Sequence, residues 1–130
     1  MRIGELARRS GVSVRSLRYY EQQGLLRAER TPGGQRQYGE WAVDRVVRVQ
    51  ALFAAGLNST KIARLLPCLR DADGGPSALA THRLVDELRA ERARIDRAVA
   101  ELALSRDILD EAIDAASEDR SRATGPLQPH

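Results

Sequence analysis

Apolar residues recur at helical spacing near the start of the chain and fall into two short runs. Residues 3–9 (IGELARR) place them three and four positions apart, which predicts a short amphipathic helix that ends at Gly11. Ser13 is then a good N-cap for a second helix from about residue 14 to residue 22 or 23, closed by Gly24. Two short helices joined by a glycine-containing turn predict a helix-turn-helix.

The following residues predict a β-hairpin and two further helices. A Pro-Gly-Gly turn at 32–34 lies between two short polar segments with basic residues, as in the wing of a winged helix. A third helix is expected at about 40–55 and a fourth at about 58–66, where Pro67 interrupts it. The first 70 residues therefore predict a winged helix-turn-helix domain.

The second half of the chain has one apolar pattern of a different period. Residues 71–76 (DADGGP) predict a linker, residues 77–116 contain neither Gly nor Pro and predict one long helix, and residues 117–130 predict a disordered tail. Apolar residues recur every seven positions in this helix, with others three or four positions away, which is the seam of a coiled coil. The expected dimerisation seam consists of Val85, Leu88, Ile95, Val99, Leu102, Leu109 and Ile113.

Two partners are open for this seam: the protein's own domain or the long helix of a second copy. Arg92 and Arg106 occupy two seam positions, where polar residues tend to specify register at a cost in stability. About 40 helical residues extend about 60 Å, far beyond a domain of 70 residues. The length favours a homodimer.

Charge divides the chain at about residue 70. Residues 1–70 carry 13 Lys and Arg against 5 Asp and Glu, a net +8, whereas residues 71–130 carry 8 against 13, a net −5. Surface charge varies without functional cause in many proteins, but a basic head suits a polyanionic partner. The alanine-rich, aromatic-poor composition indicates a mostly α fold.

Several classes of function are not expected. Cys68 is the single cysteine, which excludes an intrachain disulfide and a Cys-only metal cluster within one chain. No opening signal-like stretch and no run of about 20 apolar residues is present, so we expect a cytoplasmic protein without membrane contact. No acid/base pair, Ser-His-Asp set or phosphate loop indicates an enzyme, and no cofactor is expected.

The second helix has one outward basic stripe. On a helical wheel the stripe spans about 60° and consists of Arg15, Arg18, Tyr19 and Gln22. The opposite side consists of Val14, Leu17 and Tyr20, and Tyr20 is expected to pack on the first helix and the wing. Arginine binds guanine edges or phosphates, and a tyrosine hydroxyl reaches phosphate oxygens. A merely solvated basic face would look the same, but the turn, the hairpin and the charge lie in the same domain.

The first 70 residues resemble the MerR family of bacterial transcription regulators. The matching stretches are IGELARRSGVSVRSLRYYEQQGLL (3–26), RTPGGQRQY (30–38) and VDRVVRVQALFAAGLNSTKIARLL (43–66). The resemblance implies a winged helix-turn-helix head and a homodimer through an antiparallel coiled coil. It also implies near-palindromic promoter operators that are bent and underwound, so that RNA polymerase is affected indirectly.

The resemblance assigns candidate DNA contacts residue by residue. The main ones are Arg15, Arg18 and Tyr19 of the second helix and Arg36 of the wing. Ser13 and Tyr38 are further candidates, although Tyr38 is equally suited to packing at the base of the wing. Thr60 and Lys61 begin the fourth helix, where N–H groups and charge can hold a phosphate. Gln35 stands where many members carry tyrosine.

The sequence identifies no small-molecule or redox inducer. Metal-sensing members of the family use cysteines near the end of the long helix, and multidrug-sensing members carry a large ligand domain, neither of which is expected here. Cys68 is a candidate thiol sensor of oxidants or electrophiles, or else an ordinary small buried residue. An architectural DNA-binding protein, similar to excisionases, is the alternative function. Excisionases lack the dimer helix.

Overall fold

The computed structural model describes residues 1–69 and 82–123. In chain order these residues form α1 (Ile3–Ser10), α2 (Val14–Gln22), β1 (Glu29–Arg30), β2 (Arg36–Gln37), α3 (Trp41–Ala54), α4 (Ser59–Leu65), a 3₁₀ turn (Leu66–Cys68) and α5 (His82–Ala123). The chain divides into two compact units, of which the first ends at Leu88 and the second begins at Arg89. The expected mostly α class, with a winged helix-turn-helix followed by a long helix, is confirmed.

Individual residues at their ends set the limits of the first two helices. α1 ends at Gly11, which has a φ of 75° and donates its N–H to the Ala7 carbonyl. Such a φ is favourable mainly for glycine, so this residue makes the sharp turn between the helices. Ser13 caps the start of α2, and its Oγ accepts the Ser16 N–H at 3.1 Å, as expected for an N-cap.

The wing is a short antiparallel hairpin. Glu29 pairs with Gln37 and Arg30 with Arg36, and the turn is closed by a 2.8 Å hydrogen bond from the Gly34 N–H to the Thr31 carbonyl. At the base of the wing, the Tyr38 N–H donates to the Met1 carbonyl and the Met1 amino group donates to the Tyr38 carbonyl, both at 2.7 Å. The end of the wing is thereby attached to the residues that precede α1.

The core of the first unit lies where α1 packs on α2 and α3, and where α3 packs on α4. Its largest fully buried side chains are Leu6, Leu17, Leu25, Tyr38, Val46, Val49 and Ile62. Removing this apolar surface from water is the main force that holds the short helices together, because helices of 7 to 14 residues are marginal alone.

α5 differs from the expected long helix at its C-terminal end. The helix continues to Ala123, so the expected disorder of residues 117–123 is wrong. These residues contain no Gly or Pro, and Arg120 and Arg122 in the last turn interact favourably with the negative end of the helix dipole. The expected linker at 71–76, the expected helix start at 77 and the remaining tail at 124–130 lie outside the described residues.

The first turns of α5 belong to the first unit rather than to a separate dimerisation domain. Leu84 is buried, and Glu87 Oε2 lies 2.7 Å from Arg64 Nη1 of α4. The head therefore extends past residue 70. Among residues 1–69 and 82–123, no helix is long and apolar enough to cross a membrane.

Candidate nucleic-acid interface

The outer face of α2 forms an open groove of about 540 Å³. Its lining residues are Val14, Arg15, Arg18, Tyr19 and Gln22. The structure thus brings together every member of the stripe that the helical wheel predicts. Val14, which the wheel places on the buried side, is half-buried at the first turn of α2 and also lines the groove, so that part of the prediction is wrong. Leu17 and Tyr20 are buried on the opposite side of the helix, as predicted.

The two adjacent tyrosines point to different environments. Tyr19 is 45% exposed and Tyr20 is 6% exposed. The Tyr20 ring stacks on Phe53 of α3, which the expected packing on α1 and the wing did not include. The Tyr19 ring lies 6.4 Å from Phe53, centroid to centroid, so it borders the same cluster while remaining open to solvent. The groove therefore has an aromatic wall supported by α3.

Arg36 of the wing is connected to α2 through Glu21. The Arg36 Nη1 atom lies 3.1 Å from Glu21 Oε2, and the Tyr38 hydroxyl donates to Glu21 Oε1. The Glu21 side chain is only 15% exposed. Glu21 was not among the residues predicted from the sequence. It is the single acidic residue of α2, and this was the one signal that could have pointed to it. Through these two contacts Glu21 holds the wing against α2.

Tyr38 supports the wing from inside. Its side chain is buried, and this burial raises the pKa of the Tyr38 hydroxyl, as does its hydrogen bond to Glu21. The hydroxyl therefore remains a protonated donor over the neutral range. Of the two roles that the sequence left open, the structure favours packing at the base of the wing over contact with DNA.

A second cavity, of about 290 Å³, lies between the start of α1, α2 and the wing. Its lining residues are Arg2, Ile3, Arg18, Gln35, Arg36 and Tyr38. Arg18 lines both this cavity and the groove on α2, so the two are adjacent. Arg2 was not singled out in the sequence, because its proximity to the wing depends on a pairing between residues far apart in the chain.

The start of α4 is attached to the end of α2. The Ser59 hydroxyl donates to Gln23 Oε1 at 3.2 Å, and Asn58 Oδ1 accepts the Lys61 N–H at 2.9 Å. Thr60 and Lys61 are exposed beside these contacts. Ser13 is also exposed, with its Oγ engaged in the cap of α2. DNA contact by these three residues stays a prediction.

Cys68 lies in the 3₁₀ turn and is half-buried. Its role as a thiol sensor stays a prediction. Residues 1–69 and 82–123 contain no group of three or more His, Cys, Asp or Glu side chains that could hold a metal ion.

The second half of α5 exposes its apolar seam. Val99, Leu102, Leu109 and Ile113 are each at least 59% exposed. Leu88 and Ile95 are half-buried, and Val85 is 36% exposed. Leu104 and Ile108 are also exposed, but their positions on the helical wheel lie away from the seam. From Val99 onward, nothing in the described part of the chain covers the apolar residues of the predicted seam, which Arg106 interrupts.

Known proteins of one family match both the first 68 residues and most of the chain. The family model described as MerR HTH family regulatory protein matches residues 1–68. The nodulation protein NolA of Bradyrhizobium elkanii is 40% identical over 109 residues, which are 83% of this chain and 44% of NolA. The mercuric resistance operon regulatory protein of Shigella flexneri is 39% identical over 107 residues, which are 77% of this chain and 72% of that protein.

The crystal structure of HiNmlR, described as a MerR family regulator lacking the sensor domain and bound to promoter DNA, has the same fold. It superposes with a TM-score of 0.69 at 22% identity, over 95% of this chain and 94% of that one. The present chain spans less than half the length of NolA, so the comparison with NolA concerns only the shared part.

Proposed function

The chain belongs to the MerR family of helix-turn-helix regulatory proteins, and from this we propose that it regulates transcription by binding promoter DNA through α2 and the wing. The observation that carries the proposal is that Arg18 lines both the α2 groove and the arginine-lined cavity beside the wing. The names of its relatives, which include an operon regulatory protein and a regulator bound to promoter DNA, support it. The family is one of regulators and not of enzymes.

In the proposed complex the outer face of α2 lies in the major groove. Arg15 and Arg18 read base edges or bind phosphates, because the guanidinium group donates two parallel hydrogen bonds to guanine or to a phosphate. Tyr19 donates its hydroxyl to a phosphate oxygen, and Arg36 binds the backbone from the wing. Thr60 and Lys61 provide a further phosphate contact at the start of α4.

We propose that the protein acts as a homodimer through α5. The 42 residues of this helix extend about 63 Å, and the exposed row from Val99 to Ile113 gives it an apolar face that a second copy can cover. A two-fold symmetric dimer binds two half-sites of a near-palindromic operator. The same helix favours this function over that of an excisionase-like architectural protein.

Two linked heads can also hold DNA in a distorted form. Bending and untwisting a site of this length costs several kcal/mol, and contacts from both heads offset that cost. In a promoter whose elements are poorly aligned, such a distortion brings both elements within reach of RNA polymerase. The proposed effect on polymerase is therefore indirect.

The experiment that tests the function is footprinting of the full chain on fragments of its own genome. We expect protection of a small number of promoter fragments, each with two related half-sites and altered nuclease sensitivity at the centre. Arg18→Ala should lose the footprint, whereas Arg83→Ala, which removes an exposed arginine from α5, should retain it. Binding without any sequence preference would contradict the proposal.

A further inference from the structure

The cavity beside the wing collects three arginines from three separate segments. Arg2 precedes α1, Arg18 lies on α2 and Arg36 lies on β2, yet all three line the same 290 Å³ space. Within the described part of the chain, none of its lining residues is acidic. Positively charged side chains that line one space favour an anion there, and Arg36 also contacts the Glu21 carboxylate. The arrangement is therefore suited to a negatively charged ligand.

The polar groups around the cavity leave mainly donors for a ligand. Gln35 Oε1 accepts a 2.5 Å hydrogen bond from Arg2 Nη2, and the Tyr38 hydroxyl donates to Glu21. Arg36 uses Nη1 for Glu21, while the guanidinium group carries five N–H donors in all. Base edges in the major groove present donors as well as acceptors, whereas a phosphate presents acceptors alone. The donor excess matches a phosphate.

The segments that carry these arginines are held together before any ligand binds. The paired backbone hydrogen bonds between Met1 and Tyr38, both 2.7 Å, place Arg2 beside the wing. Glu21 restrains Arg36 through the 3.1 Å ion pair. A site organised in advance loses less conformational entropy when it binds its ligand.

We propose that the cavity formed by Arg2, Arg18 and Arg36 is a phosphate site that binds one phosphate of the DNA backbone, with Arg2 as a DNA contact additional to the helix-turn-helix and the wing. The proposal rests on the proposed DNA-binding function. A strand that follows the α2 groove toward the wing passes Arg18, which lines both spaces. The contact positions the protein on DNA and is independent of sequence.

The test uses the full chain and a duplex that the wild type selects from random DNA. Each phosphate contact contributes about 0.9 to the slope of log affinity against log salt concentration. Arg2→Gln should therefore reduce the magnitude of the slope by about 0.9 and weaken binding to strong and weak sequences by the same factor. Arg8→Gln is the matched control, because Arg8 is an exposed arginine of α1 that does not line the cavity. Its slope should equal that of the wild type.

Two further variants separate the site from a folding effect. Arg2→Lys keeps the positive charge and should retain most of the slope, although the forked geometry is lost. The thermal unfolding of Arg2→Gln should match that of the wild type. Unchanged slope in a folded Arg2→Gln protein, or a loss confined to one DNA sequence, would overturn the proposal.

Neutral methylphosphonate groups placed singly along the duplex identify the bound phosphate. In each half-site, we expect one position where the substitution weakens wild-type binding and has no further effect on Arg2→Gln. Inorganic phosphate, titrated at constant ionic strength, tests a free anion as the ligand instead. Saturable phosphate binding that Arg2→Gln abolishes, together with an unchanged DNA slope, would overturn the backbone assignment. Failure of the wild type to select any DNA would overturn the proposed function itself.

Discussion

The rings of Tyr20 and Phe53 are stacked, with centroids 5.5 Å apart and planes inclined by 18°. This contact joins α2 to α3 through residues 33 positions apart in the chain. Tyr19, adjacent to Tyr20, leaves its ring at the edge of the same cluster and its side chain half in solvent. The stack therefore orients the outward arginines by fixing the buried side of their helix.

Tyr20→Ala should destabilise the first unit. Truncating a buried aromatic ring removes apolar contacts and leaves a cavity, which lowers the free energy of unfolding by about 3–5 kcal/mol. Urea denaturation followed by circular dichroism measures the change. A loss below about 1 kcal/mol would show that the stack with Phe53 does not hold α2 in place.

Tyr19→Phe should have the opposite effects, leaving the free energy of unfolding unchanged and weakening DNA binding. The ring that borders Phe53 is kept, so the free energy of unfolding should change by less than about 0.5 kcal/mol. Loss of the hydroxyl should weaken DNA binding by about 1.5–3 kcal/mol, as for a hydrogen bond to a charged phosphate group. Fluorescence anisotropy with the selected duplex measures the affinity, and unchanged affinity would remove Tyr19 from the proposed interface.

Arg18→Ala tests the central residue of the interface, since Arg18 lines both the α2 groove and the cavity beside the wing. If Arg18 reads a base, affinity for the selected duplex should fall by about 1–3 kcal/mol, with a smaller loss on unrelated DNA. Arg18→Lys distinguishes the two kinds of contact. A lysine should largely replace arginine at a phosphate, but not at a guanine edge that needs a forked donor.

Local signals predicted the boundaries of most elements in the first unit. Ser13, Gly11 and Gly24 each impose a backbone geometry within a few residues of themselves, and α2 begins and ends next to them. The outward stripe followed from helical geometry alone. These features could be predicted because their causes lie within one or two helical turns of sequence.

The features that could not be predicted depend on pairs distant in sequence. Glu21 meets Arg36 and Tyr38 only after the wing folds back on α2, and Arg2 meets Gln35 across 33 positions. The periodic pattern of apolar residues along the sequence does not indicate contacts between residues so far apart. The end of α5 at Ala123 was missed for another reason, since the polar composition of 117–123 resembles a tail while every residue in it tolerates a helix.

Stability should fall at alkaline pH because of two buried tyrosines. Burial raises the pKa of Tyr38, and its hydrogen bond to Glu21 raises it further, while burial alone raises the pKa of Tyr20. Below pH about 10 both tyrosines are protonated in the folded and unfolded chains, so their contribution to the free energy of unfolding has its full value. Above that pH the unfolded chain releases protons that the folded chain keeps, so stability declines as pH rises toward the folded pKa.

Tyr38→Phe should reduce this alkaline loss. Each such tyrosine contributes at most about 1.4 kcal/mol per pH unit to the slope of unfolding free energy. Urea denaturation between about pH 9 and pH 11 should give a shallower slope for Tyr38→Phe, and shallower still when combined with Tyr20→Phe. Equal slopes in the wild type and both variants would contradict the role assigned to burial.

The proposed dimer interface is best tested with two leucines that differ in position but hardly in exposure. Leu102 is 70% exposed and Leu104 is 62% exposed in the single chain, yet Leu102 lies in the seam and Leu104 lies on the other side of α5. Leu102→Glu places a charge where a second helix must pack, so the homodimer should dissociate, because burying an unpaired carboxylate costs several kcal/mol. Leu104→Glu adds the same charge outside the seam and should leave the dimer intact. Sedimentation velocity measures the mass of each, and equal dissociation by the two variants would mean that net charge, rather than seam packing, controls assembly.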